Sequence, residues 1–221
     1  MPGILHHHPY PPFIPGGATR LIIGTLPPPR FSTGRLLEGD VDFCYGSRDN
    51  LLWPALDTIF QLGLRYDGSR EAVTEREDFL VREKIGICDI VESCRREKVN
   101  ASDLGMEDIV LRDLLGRLHH HPALNALIFT GGNTRNGPEY LFRRQLRTQG
   151  LRLAGANADS PRRQYFHLGE RTVHTLSLVS PSKAANRAIG GNPAYKLRRA
   201  ADPSFTPFDF RVEKYRQVFL S

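Results

Sequence analysis

Short apolar runs alternate with longer stretches in which apolar residues recur every three or four positions. Arg20 to Gly24 holds Leu21-Ile22-Ile23, continuous enough for a strand buried on both faces, and opens into Gly24-Thr25-Leu26-Pro27-Pro28. Asn50 to Leu62 carries Leu52, Ala55, Leu56, Ile59 and Phe60 at helical spacing and stops at Gly63, predicting a helix with a glycine cap. Residues 71–84 predict a charged amphipathic helix. Ile85 to Val91 predicts a short strand or strand-like loop with Cys88 buried in it. A polar loop holding Ser93, Cys94, Ser102 and Asp103 follows. Ile109, Leu111, Leu114, Leu115 and Leu118 then predict a helix near 107–118.

Ala126 to Phe129 predicts another buried strand, closed by Thr130-Gly131-Gly132. Pro138, after Asn136-Gly137, suits the first turn of the next helix. Arg152 to Tyr165 reads as a polar loop and Thr172 to Val179 as the last strand, broken by Ser180-Pro181-Ser182. A final helix is predicted from about Phe208 to Phe219. The Pro- and Gly-rich residues 1–19 predict an extended strap ahead of one α/β domain over 20–221. Strands alternating with helices predict a three-layer α/β/α sandwich around a mostly parallel four-stranded sheet.

Composition narrows the function classes. At 221 residues the chain is long enough for one such domain with a sizeable core. No apolar run approaches the ~18 residues of a membrane span, and the start lacks a signal-peptide pattern, so a cytoplasmic, monomeric protein is expected. The net charge is +6, with basic clusters at Arg95-Arg96, Arg143-Arg144, Arg162-Arg163 and Lys196 to Arg199. That excess suits a polyanion such as nucleic acid, or equally a solvated surface, since no block reaches five like charges. Cys44, Cys88 and Cys94 show no metal-finger spacing and are too few for a four-cysteine iron–sulfur site. His6-His7-His8 and His119-His120-His121 lack carboxylate or cysteine company at ligand spacing. No metal, cluster or other cofactor is expected.

Candidate chemistry sits where strands end, because open α/β sheets bind ligands at the carboxyl edge. In Tyr45-Gly46-Ser47-Arg48-Asp49-Asn50-Leu51-Leu52-Trp53-Pro54 an aromatic ring stands five residues before an asparagine that opens a helix. A ring beside an amide suits a flat heterocycle such as a nucleobase.

In order and spacing the chain resembles the uracil-DNA glycosylase superfamily, most of all its mismatch-specific and hypoxanthine-DNA glycosylase branches. Four segments carry this: Leu21 to Pro28; Phe43 to Pro54; Gly86 to Leu104, of the form G-I-x-D-[IV]-V-x-S-C-x-R and ending in S-D-L; and Leu178 to Arg187. Phe129 to Gly132 adds a fifth, while the tail from about residue 195 lies outside the likeness. The resemblance implies a uracil-DNA glycosylase-like fold and base excision. Damaged or mismatched DNA is bound, a deaminated base is rotated out of the stack, and its N-glycosidic bond is hydrolysed.

Under that resemblance Asn50 positions the attacking water, since an amide both accepts and donates. Equally, Asn50 stands where a helix N-cap belongs. Tyr45 is the stacking platform for the flipped base, worth roughly 1–3 kcal/mol, with a core aromatic as the alternative. Gly24, Thr25, Leu26, Pro27, Cys88, Asp89 and Thr130 complete the base-binding set, Asp89 more as a hydrogen-bonding support than as a general base. Ser102 and Asp103 read as a helix cap. Ser180, Pro181, Ser182, Lys183, Asn186 and Arg187 are the DNA-binding set, with Arg187 as the wedge that fills the vacated stack. Leu26 is a departure: several relatives carry a water-activating Asp or Asn there. Either the duty is relocated or the chain is a DNA-binding domain without catalysis. An N-glycoside hydrolase acting on a non-DNA substrate is the further alternative.

Overall fold

The computed structural model describes residues 4–96, 103–155 and 162–220. Its elements run β1 (Ile4–His7), β2 (Arg20–Ile23), α1 (Pro29–Ser32), α2 (Leu52–Phe60), α3 (Arg70–Arg82), β3 (Ile85–Ile87), β4 (Val91–Arg96) and β5 (Met106–Leu111). They continue with α4 (Leu114–His120), β6 (Ala126–Phe129), α5 (Pro138–Thr148), β7 (Arg162–Leu168), β8 (Arg171–Ser177), α6 (Asn186–Gly191), α7 (Pro193–Ala201) and α8 (Pro207–Phe219). No helix among the described residues is long and apolar enough to cross a membrane.

The central sheet has the order β3-β2-β6-β8-β7. Its first four strands are parallel, and β7 pairs antiparallel with β8. Alternation along β2 feeds two cores. Ile22 joins side chains of α2, α3 and α8, whereas Leu21 and Ile23 join those of α4 and α5. Helices therefore flank the sheet on both faces, as the apolar runs require. Local chemistry sets the helix starts. Ser69 caps α3 by accepting from Ala72 N, Pro138 occupies the first turn of α5, and Thr206 and Asp209 form a capping box on α8.

Several elements depart from the expected ones. The sheet has five strands rather than four, because part of the supposed polar loop 152–165 is β7. On this edge strand Gln164 and Phe166 turn inward and the arginines outward, so little of it looks apolar. The expected helix near 107–118 is two elements: β5 and then α4, whose cap Asp113 accepts from Gly116 N. Ser93 and Cys94 lie buried in β4 rather than in a polar loop. The strand expected over Ile85 to Val91 is broken at Cys88-Asp89-Ile90. The strap contains β1, which pairs with β4 in a second, antiparallel sheet of order β1-β4-β5. Helix α2 starts at Leu52, after Asn50. Gln61 at φ +54, and not Gly63, forms its left-handed cap. The segments α6 and α7 were not predicted; with α8 they close a small cluster of Ile189, Tyr195, Phe205 and Phe210.

Candidate active site

Strands β2, β3, β6 and β8 are parallel, so Gly24, Cys88-Asp89, Thr130 and Ser180-Pro181-Ser182 all leave the sheet at one edge. Gly24 is the closest point of approach. A Cβ there would overlap the Tyr45 hydroxyl and lie 2.7 Å from Asp89 Oδ1, so no larger residue fits. Tyr45 holds the left-handed φ of +58, uncommon for a side chain of this size. Its hydroxyl lies 3.0 Å from Thr130 Oγ1, which in turn donates to Ile23 O. Burial and then the neighbouring Asp89 charge push the phenol well above its ordinary pKa. The ring is half-buried, with its hydroxyl at the floor.

Asp89 ties the floor together. Its Oδ1 accepts from Gly24 N at 3.1 Å, and its Oδ2 lies 3.0 Å from His8 Nε2. Tyr10 N donates to His8 Nδ1, so the ring proton sits on Nε2 and is donated to Asp89. The hydrogen-bonding role expected of Asp89 thus has named partners, one of them from the strap. Cys88 is fully buried, and burial pushes its thiol up to about 11. Leu26, 8% exposed, turns into the core beside Cys88 and Ile90, and Pro27 is buried next to it.

The loop from Tyr45 to Asn50 is braced by Asp40, which accepts from Arg30 and from the backbone of Leu37 and Arg48. Burial alone would raise that carboxyl; these bonds hold it at about 2. Asn50 is not the N-cap of α2. Its Oδ1 accepts from Leu52 N at 2.9 Å, a turn two residues on, and Leu51 is the cap position. Asn50 forms a bridge with Ser182, and Leu51 N donates to Pro181 O, so the asparagine loop and the serine turn are one hydrogen-bonded unit. Lys183 pairs with Asp49 across it at 2.9 Å, an exposed contact of little energetic weight.

Arg211 of α8, 0% exposed, holds the serine turn from beneath. Its guanidinium donates to the carbonyls of Ser180 and Ser182 and to Asn186 Oδ1. Asn186 therefore faces inward through its amide oxygen, while Arg187 stands exposed on α6. Arg211→Met leaves those acceptors without a charged donor. We expect it to cost about 1.5–3 kcal/mol in urea unfolding; an unchanged unfolding free energy would remove Arg211 from this role.

The histidine tracts point apart. His6 accepts from Arg96 Nε in the second sheet, and burial followed by Arg96 lowers its pKa to about 4. His120 Nδ1 contacts Gly116 O on α4. Among the described residues no three His, Cys, Asp or Glu side chains converge on one point. An open groove of about 330 Å³, lined by His8, Tyr10, Glu92, Arg112 and Arg117 among others, shares His8 with this site but not Tyr45, Asn50 or the serine turn.

Neither a family model nor a curated protein matches the chain. A solved structure does: the solution NMR structure of a protein from Methanosarcina acetivorans, described as a candidate uracil DNA glycosylase. The TM-score is 0.57 at 18% identity, over 98% of this chain and 97% of that one. The fold is uracil-DNA glycosylase-like. The likeness takes in the strap and the C-terminal helices as well as the sheet, so it reaches beyond the segments whose sequence carried the resemblance.

Within that fold, residues given another role or none by the sequence take up positions around the site. Asp103 opens a short 3-10 turn rather than capping a helix, and it accepts from Thr25 Oγ1 at 2.7 Å. Ser102, its expected partner in the cap, lies outside the described residues. His8 and Arg211 also reach the site from far along the chain, and Asp40 braces the neighbouring loop. The signal available for Asp103 was its place in the S-D-L ending; the others had none.

Proposed function

We propose that the chain is a monofunctional DNA glycosylase that hydrolyses the N-glycosidic bond of a flipped, deaminated base, uracil or hypoxanthine, in base excision repair. The observation that carries this reading is the seating of the Tyr45 hydroxyl over Gly24, between Asp89 and Thr130, beside the strand-end serine turn to which Asn50 is bridged. Bond cleavage places positive charge on the sugar and negative charge on the leaving base. The site must therefore hold a water at the anomeric carbon and donate to the base. Tyr45 stacks on the base and Asn50 holds the water through the part of its amide not engaged by Leu52 N. The amides after Gly24 face the base edge, and Ser180, Ser182, Lys183 and Arg187 hold the flanking phosphates. DNA is the partner, and its affinity falls steeply with salt.

A second reading, a DNA-binding domain that has lost catalysis, is favoured by the burial of Leu26, since an apolar side chain in the core activates no water. Duplexes carrying one uracil or one hypoxanthine, incubated with the protein and then treated with alkali, separate the two. Strand breaks at the lesion support the enzyme; binding without breaks supports the binding domain.

A further inference from the structure

The Thr25 hydroxyl has one proton, and it is donated to Asp103 Oδ1. Asp103 is held in turn from its backbone, where Asn136 Nδ2 donates to the carbonyls of Asp103 and Met106 at 3.0 Å each. With its proton committed, the Thr25 oxygen offers a ligand lone pairs alone. It follows Gly24 directly, at the turn where Tyr45 and Asp89 meet.

We propose that Thr25, polarised by Asp103, is the specificity-determining residue of this site and reads the ring N–H that distinguishes deaminated bases from their parents. This rests on reading the strand-end turn as a base-binding site. Deamination of cytosine to uracil, or of adenine to hypoxanthine, turns one Watson–Crick-edge ring nitrogen from an acceptor into an N–H donor. A fixed acceptor pairs with that N–H, and on cytosine or adenine it faces another lone pair. Leaving both acceptors unpaired where the bound base has displaced water is what rejects the parent base.

The device is sensitive to pH. Burial raises the Asp103 carboxyl to about 6, against the Thr25 bond and Arg96, with Asp89 adding to the rise. The groups facing it are Thr25 of the β2 turn, Arg96 and Cys94 of β4, and Asp89 of the β3–β4 connection. Above about 6 the carboxylate only accepts, and Thr25 is locked as an acceptor. Below it the neutral carboxyl can donate, which frees the threonine proton and relaxes the selection.

The test uses duplexes with a single non-hydrolysable 2′-fluoro-deoxyinosine or 2′-fluoro-deoxyadenosine, so that binding is read without turnover. The full chain is expected to prefer the inosine analogue about tenfold at pH 7.5. That preference should decline as pH falls through about 6. Thr25→Val should bring the ratio near one, Thr25→Ser should restore it, and Asp103→Asn should make it independent of pH. In a Thr25→Val background, Asp103→Asn should add nothing, because it acts only through the hydroxyl. Equal affinity for the two analogues in the unaltered chain, or an unchanged ratio in Thr25→Val, would overturn the inference. If Asp103→Asn does not fold, the threonine variants and the pH profile decide alone. Excision of unmodified deoxyinosine, followed by alkali, is measured alongside. Preference without excision sinks the glycosylase reading and supports the base-reading role; excision without preference sinks this inference only.

Discussion

Replacing Asn50 with serine should lower single-turnover excision at least about 100-fold while leaving unfolding within about 1 kcal/mol of the unaltered chain. The structural work of Asn50 is to accept from Leu52 N at the entry to α2, with its backbone bridged to Ser182. A serine hydroxyl can accept from an N–H two residues on in the same way, so the start of the helix survives. What serine lacks is the amide N–H₂ that, with the carbonyl, orients a water from two sides. Single-turnover kinetics and urea unfolding of the same preparation keep the two roles apart. Full activity in a folded Asn50→Ser protein would end the catalytic assignment.

Gly24→Ala should cost about 1–3 kcal/mol of stability through overpacking. It should also abolish most excision, by about 100-fold or more, because the group it displaces is the hydroxyl of the ring proposed to stack on the base. The new methyl meets the Tyr45 hydroxyl and the Asp89 carboxylate, both near-rigid because Thr130 and His8 hold them. Tyr45→Phe in the Gly24→Ala background removes the overlapping oxygen, so part of the stability should return. Thermal unfolding of the single and double variants checks this. A Gly24→Ala chain as stable and active as its parent would mean that the ring does not sit on this turn.

The parallel strands were legible because burial on both faces leaves continuous apolar runs, as in Leu21-Ile22-Ile23. The edge strand β7 was not, since one face meets solvent and the segment Arg162–Leu168 reads as polar. Strand β5 was hidden for another reason. Ile109 and Leu111, read with Leu114, Leu115 and Leu118, imitate helical spacing across two elements, and the break shows only in the capping bond of Asp113. The site divides similarly. Gly24 and Ser180 to Ser182 stand in short motifs at strand ends, and Tyr45 and Asn50 in one short motif ahead of α2. Their supports reach in from far along the chain: Arg211 over 31 residues, Asp103 over 78 and His8 over 81. Nothing local announces such a contact. The expectation that Asn50 opens its helix failed by two residues, because an asparagine can serve a helix start from the preceding turn as well as from the cap.

Base excision by this chain is tested most directly by incubating it with a panel of duplexes, each carrying one uracil, one hypoxanthine or only normal bases, and then heating in alkali. Strand breaks are expected at uracil or hypoxanthine and not in the normal duplex, and they should be lost in Asn50→Ser. Tight, salt-sensitive binding to every duplex with no break at any lesion would contradict it.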